Sequence, residues 1–332
     1  MRCARVEGAA RISLLLALGL LAACERAPQT APHTVYVSDE QANVLHVIDG
    51  ATAKKVATIA TGQRPRGMGL SPDGAILYVA ASNDNRIERV ELATRKVLGS
   101  LASGSDPEQF AVSPQGSMIY VANEDVAKVS FLGVGHGRIV RETDVGTEPE
   151  GMAVSPDGKW VICTSETASL VHFIDAATGE LVDNVMVGAR PRDALFTDNG
   201  SRLWVSSEIG ASVTVFEMPS RRVLHTIDFA REEDAPTNVQ AVGVRASPDG
   251  RRIYVALGRG NHVAEVDAGS YEVLRYFKSG FRTWHIGVSP DGRRLYAANG
   301  LSGDVSVIDT QSGRKLKDIK TGGKPWGVVV TP

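Results

Sequence analysis

Gly151-Met152-Ala153-Val154-Ser155-Pro156-Asp157-Gly158 is one copy of a unit that recurs along the chain. Its Ser-Pro-x-Gly tetrad returns at Ser71, Ser113, Ser247 and Ser289, a degenerate Thr197-Asp198-Asn199-Gly200 fills the gap, and Thr331-Pro332 begins another. Successive starts lie 42, 42, 42, 50, 42 and 42 residues apart. A fixed period near 40 with apolar runs between turns is the signature of a propeller or a solenoid. The copy from Gly67 shows how one period reads. Gly67 to Leu70 is a short strand, and Ser71-Pro72-Asp73-Gly74 places Pro and Gly where a tight turn wants them. Ile76-Leu77-Tyr78-Val79-Ala80 is apolar on both faces, Arg86 to Leu92 alternates, and Lys96 to Leu101 completes a fourth strand. Four short strands per period make a propeller blade.

Seven second strands centre on Tyr36, Tyr78, Tyr120, Ile162, Trp204, Tyr254 and Tyr296, and the seventh first strand is Gly327 to Val330. The expected fold is therefore an all-β, seven-bladed β-propeller of four-stranded blades over residues 34–332. Pairing its N- and C-terminal strands in one blade closes the ring and leaves no exposed edge.

The leading residues read differently. Arg2, Arg5 and Arg11 precede or begin an apolar run, Ile12 to Leu21, followed by Leu21-Ala22-Ala23-Cys24. That order makes an export signal over residues 1–23, too short to span a membrane. The small residues before Cys24 resemble a bacterial lipobox. This implies lipidation of Cys24, a tether over 24–33, and a periplasmic or cell-envelope location with membrane contact only through the anchor. Removing residues 1–23 moves the formal charge from −2 to −4, since three Arg and one Glu leave. No basic stripe is present, so nucleic acid is excluded as a partner. Cys163 then stands alone in an apolar strand, which argues for core packing rather than a disulfide or a Cys-based metal site.

Tyr120-Val121-Ala122-Asn123, Tyr296-Ala297-Ala298-Asn299, Val305-Ser306-Val307-Ile308-Asp309 and the Ser-Pro-Asp-Gly turns resemble YVTN-family β-propeller repeats, part of the broader WD40/YVTN-like group. The resemblance runs over residues 34–332. Among such proteins the chain is most similar to the propellers associated with PQQ-dependent alcohol catabolism. What the resemblance implies is a non-catalytic binding or accessory module. Its partners would be a quinoprotein dehydrogenase or transport components, and its ligand a small anion such as PQQ; no cofactor is required by the residues themselves.

Candidate chemistry sits upstream of each turn. Seven residues before each start stand Arg64, Asp106, Glu148, Arg190, Gln240, Arg282 and Lys324; five before stand Arg66, Glu108, Glu150, Arg192, Val242, Trp284 and Trp326. These loops face the channel mouth, and intervening prolines stiffen them. The expected ligand-binding ring comprises their charged members with Trp284, Trp326 and His285. In the binding reading, Trp284 or Trp326 stacks on a planar ligand while Arg192, Arg282 and Lys324 pair with its carboxylates. The same Arg and carboxylate positions equally suit ion pairing between blades.

Glu40, Glu124, Glu166 and Glu208 share one register in the loops between second and third strands. Glu124, Glu166 and Glu208 are the metal candidates, although solvated turn carboxylates fit the same positions. The fifth repeat carries an eight-residue expansion, placed between Phe229 and Val239, on the same face. Two alternatives stay open. A lactonase-type propeller hydrolase would draw on Glu124, Glu148 and Glu166 to activate water. A haem-handling propeller would rest on His285, with His262 a weaker candidate and His46 and His172 as packing residues. No Cys-x-x-Cys-His, nucleophile elbow or phosphate loop occurs.

Overall fold

The computed structural model describes residues 32–332. Seven four-stranded antiparallel sheets follow one another in chain order. We number the blades by their turns, so blade 1 carries Ser71, blade 6 carries Ser289, and blade 7 is the closing blade. In blade 7 the C-terminal strand Pro325–Thr331 pairs with Thr34–Asp39, with Val35 opposite Val330 and Tyr36 opposite Val329. The closure expected from the repeat register is what forms.

Each blade grades from buried to exposed. Second strands such as Ile119 to Asn123 are wholly buried, because they pack between two neighbouring sheets, whereas outer strands such as Lys54–Ala60 alternate and face solvent. The core is accordingly divided between blades. Tyr120 and Phe131 of blade 2 pack with Met152, Val161, Cys163 and Ile174 of blade 3, and equivalent clusters fill the other interfaces. Cys163 is fully buried, and burial raises its thiol pKa, as expected of core packing.

The Ser-Pro-x-Gly tetrad is a repeated hydrogen-bond device. Ser155 Oγ donates to Asp157 (2.6 Å) and accepts from the Trp160 amide (2.9 Å), while Gly158 adopts a left-handed φ of 73°. The arrangement recurs at Ser71, Ser247 and Ser289. Glycine is required there because an L side chain pays for positive φ.

Residues 1–31, with the export signal and Cys24, lie outside the described residues. The tether boundary needs one correction. His33 is buried, its Nε2 lies 2.6 Å from the Tyr296 hydroxyl, and its carbonyl accepts from Gly50, so the packed fold begins before residue 34.

Candidate functional site at the channel mouth

The first strands line the axis, and the loops that enter them share one face with the loops joining second to third strands. Five loop residues at the outer ring position, Arg64, Asp106, Glu148, Arg190 and Arg282, have φ between 49° and 60°. The left-handed region costs of order 1–3 kcal/mol for a non-glycine residue and persists where surrounding bonds over-determine it. The bonds are visible. The amides of Arg64, Asp106 and Arg282 donate to Asn43, Asn85 and Asn261 of the preceding blade, at 2.9–3.0 Å. Their carbonyls accept from Ser82, Glu124 and Gly300. Prolines 65, 107, 149 and 191 follow, so the loops are rigid presenters of side chains.

Those side chains form two ion-pair networks. In the first, Arg64 binds Asp106 and Glu108 (both 2.9 Å), and Arg66 binds Glu40 (3.0 Å) and Glu108 (2.8 Å). In the second, Arg192 binds Glu150 (3.2 Å), Glu208 (2.6 Å) and Glu166. Arg190 adds a bond to Glu166 (2.5 Å), and Arg282 adds one to Glu208 (2.8 Å) and one to Gln240. Blade-to-blade ion pairing, one of the two roles open for these residues, is thus realised. Lys324 is exposed and makes no ion pair among the described residues, and Glu148 meets only the Thr167 hydroxyl.

The networks meet at Glu108 and Glu150, on adjacent first strands and fully buried or nearly so at 0% and 3% exposure. Burial raises both carboxyl pKa values, and each feels other carboxylates besides its arginine. Glu108 sits well above its ordinary 4.5 despite Arg66; Glu150 is pushed up to about 7 despite Arg192. Burial also raises Glu166, whereas at Glu208 the burial effect is outweighed by Arg192 and Arg282, and its pKa is lowered. The physical cause is desolvation of a charge that its partners only partly repay.

Of the two indoles that offered a stacking surface, Trp326 is buried between blades and Trp284 is half-buried. Trp326 is 1% exposed, with the Arg66 guanidinium 5.0 Å from its ring centroid and His285 4.2 Å away. Trp284 carries Arg282 at 4.0 Å and Arg192 at 5.3 Å. Indoles attract guanidinium groups, so the cations meant to flank a ligand stack on the rings instead. His285 is likewise buried rather than open to the mouth, and burial holds it neutral, its pKa well below 6.5. His46 and His172 pack as expected, against Asp39 and against Ser165 with Asn184. His262 borders a rim cavity.

The metal candidates part company. Glu166 and Glu208 are taken up by arginines, and Glu124 stands instead with Asp106 and Glu108, oxygens within 4.8 Å of one another. Glu108 already binds two guanidinium groups there, which oppose a further cation.

A further layer of residues lies deeper in the channel. One residue further along each first strand stand Gly67, Gln109, Gly151, Asp193, Gly243, His285 and Gly327. A Cβ at Gly151 would lie 2.7 Å from the Arg192 carbonyl, so these glycines let neighbouring first strands approach. Between them Gln109 donates to the Arg192 carbonyl, and Asp193 binds Arg245 (2.9 Å) with His285 3.8 Å away. The alternation of Gly with polar residues was the signal.

Two open cavities flank the buried pair. One, of about 500 Å³, is lined by Glu40, Asn43, Arg64, Arg66, Asn83 and Lys324. The other, of about 370 Å³, is lined by Glu148, Glu166, Thr167, Arg190 and Ile209.

A model of the seven-bladed β-propeller lactonase family matches residues 182–268. No curated protein matches the chain. Among solved structures, a periplasmic gluconolactonase of Pseudomonas aeruginosa superposes with a TM-score of 0.77 at 20% identity, covering 91% of this chain and 99% of that one. A putative 6-phosphogluconolactonase from Bacteroides fragilis gives 0.75 at 18% identity, covering 92% and 99%. Hydrazine synthase of Kuenenia stuttgartiensis gives 0.74 at 22% identity, covering 83% and 92%. At these identities the structures establish the fold. Together with the matched family they overturn the expectation of a non-catalytic accessory module in PQQ-dependent alcohol oxidation and favour the hydrolase alternative.

Proposed function

We propose that the protein is a lactonase-type propeller hydrolase that opens a lactone ring at the channel mouth. The observation that carries this reading is the buried pair Glu108 and Glu150, flanked by Arg66 and Arg192, with Glu150 ionising near neutrality. A general base works best when its pKa lies near the working pH. Glu150 takes a proton from a water as the water oxygen bonds to the lactone carbonyl carbon. The carbonyl oxygen becomes anionic, and Arg66 or Arg192 stabilises it in a site already poor in water. The carbon–ring-oxygen bond then breaks, the ring oxygen recovers the proton from Glu150, and a hydroxy acid leaves.

The charge of the mouth supports a polyhydroxylated substrate. Glu124 and Glu148 offer acceptors for sugar hydroxyls, and exposed Lys324 offers a donor to the product carboxylate. The lactonase-family match and the gluconolactonase-like fold support the same reaction class. With this reading we keep the envelope location suggested by residues 1–23 and Cys24.

Acid release from D-glucono-1,5-lactone, measured against the spontaneous rate, tests the proposal. Turnover in the wild type and its loss in Glu150→Gln are expected; a wild type no faster than buffer across a panel of sugar and alkyl lactones overturns it.

A further inference from the structure

The expansion in the fifth repeat has no part in the chemistry above, yet it helps to wall a cavity. The connection between Asp228 and Val244 crosses the mouth face, and its Pro236, Thr237 and Asn238 wall one side of a pocket of about 690 Å³ between blades 5 and 6. The opposite walls are the loops Arg259 to His262 and Lys278 to Phe281, with the outer strand of blade 6 as floor. The pocket lies beside the break in the 42-residue period. Its volume falls in the range of small-molecule sites, about 300–1,000 Å³.

Its chemistry is mixed in a particular way. Phe281 is 64% exposed at the pocket wall, a large cost in water for a ring that packs against nothing better. Lys278 and Arg259 are exposed and make no ion pair among the described residues. Asp304 is buried and already accepts from Asn299, Ser302 and Lys320, whereas Asp318, bound by Lys315 (2.7 Å) and Ser306 (2.7 Å), stays partly exposed and keeps carboxylate lone pairs as acceptors. The Asn261 side chain is oriented by its bond to the Arg282 amide (3.0 Å), and the Ser302 hydroxyl by the Phe281 amide (3.0 Å).

An aromatic face, a partly exposed carboxylate that accepts from hydroxyls and two free cations answer one ligand class. We propose that this rim pocket binds a monosaccharide bearing a single carboxylate or phosphate. The apolar C–H face of the sugar lies on Phe281, a hydroxyl donates to Asp318, and its anion meets Lys278 and Arg259. Two free cations match one anionic group, whereas the two aspartates repel a polyphosphate chain. The site is separate from Glu150 and does not depend on the hydrolase reading.

Titration calorimetry on the full chain with gluconate, glucose 6-phosphate, glucose and inorganic phosphate tests it. One-to-one binding of gluconate, glucose 6-phosphate or both is expected, at least ~10-fold tighter than glucose or phosphate alone. Which of the two binds names the anion. Phe281→Ala and the double variant Arg259→Ala/Lys278→Ala should each weaken binding ~10-fold or more at unchanged melting temperature, while Glu150→Gln leaves it intact. The proposal is overturned if neither sugar acid binds. It is equally overturned if phosphate alone or an acidic peptide such as tetraglutamate binds as well as they do. Loss of binding in Glu150→Gln but not in the pocket variants would assign the ligand to the channel and also overturn it.

Discussion

The two faces of the propeller use one repeat in opposite ways. On the face of the Ser-Pro-x-Gly turns, Ser71, Ser155, Ser247 and Ser289 make the same two hydrogen bonds with nearly the same lengths. On the mouth face the backbone is also largely repeated, with the left-handed residue in five of the seven loops, but the side chain changes from blade to blade: Arg66, Glu108, Glu150, Arg192, Val242, Trp284, Trp326. A uniform face closes each turn through local bonds. A varied face, presented by rigid loops, collects unlike charges at one axis, and that is where proton affinities depart from their ordinary values.

The largest effect is expected at Arg192. Three carboxylates, Glu150, Glu166 and Glu208, converge on it, and removing one partner of a buried pair strands the others. Arg192→Ala should cost about 3–5 kcal/mol in chemical denaturation, whereas the rim residue Arg190, itself half exposed, should cost no more than about 1 kcal/mol as Arg190→Ala. Equal losses would mean that the mouth is as uniform as the other face.

Next in size is Glu150→Gln, which keeps shape and removes the base. Lactone turnover should fall by ~10²-fold or more, and the rise of wild-type kcat through pH about 7 should vanish. A variant with the wild-type pH profile would move the base elsewhere.

The same residue predicts a stability trend. Unfolded Glu150 ionises near 4.5 and folded Glu150 near 7, so between these values the folded state keeps a proton that the unfolded state has released. Wild-type stability should therefore fall as pH rises through that window, by an amount of order a few kcal/mol, and level off above it. Glu150→Gln should lose less over the same range in urea titrations at pH 5, 6, 7 and 8; parallel curves would place the shift on another group.

The smallest effects should be the most alike. Ser71→Ala, Ser155→Ala and Ser289→Ala each remove one hydroxyl that bridges a turn, at about 1 kcal/mol apiece. A spread much wider than their mutual error in thermal melts would show that the turns are not interchangeable.

The sequence determined the architecture because every cue for it is local or periodic. Turn residues, strand alternation and the 42-residue spacing need no knowledge of distant contacts, and together they place seven blades and the closing strand pair. The register also named the residues of the mouth, Glu108, Glu150 and Arg192 among them. What it left undecided was which cation meets which carboxylate. Arg282 reaches Glu208 across 74 positions of sequence, and Arg192 reaches two acids of the preceding blade and one of its own, contacts that exist only once the blades have packed. Closure likewise buried Trp326 against Arg66 and His285, where exposure was expected. Burial is a property of the assembled ring, so the raised proton affinity of Glu108 and Glu150, on which the proposed chemistry turns, was decided by the tertiary structure alone.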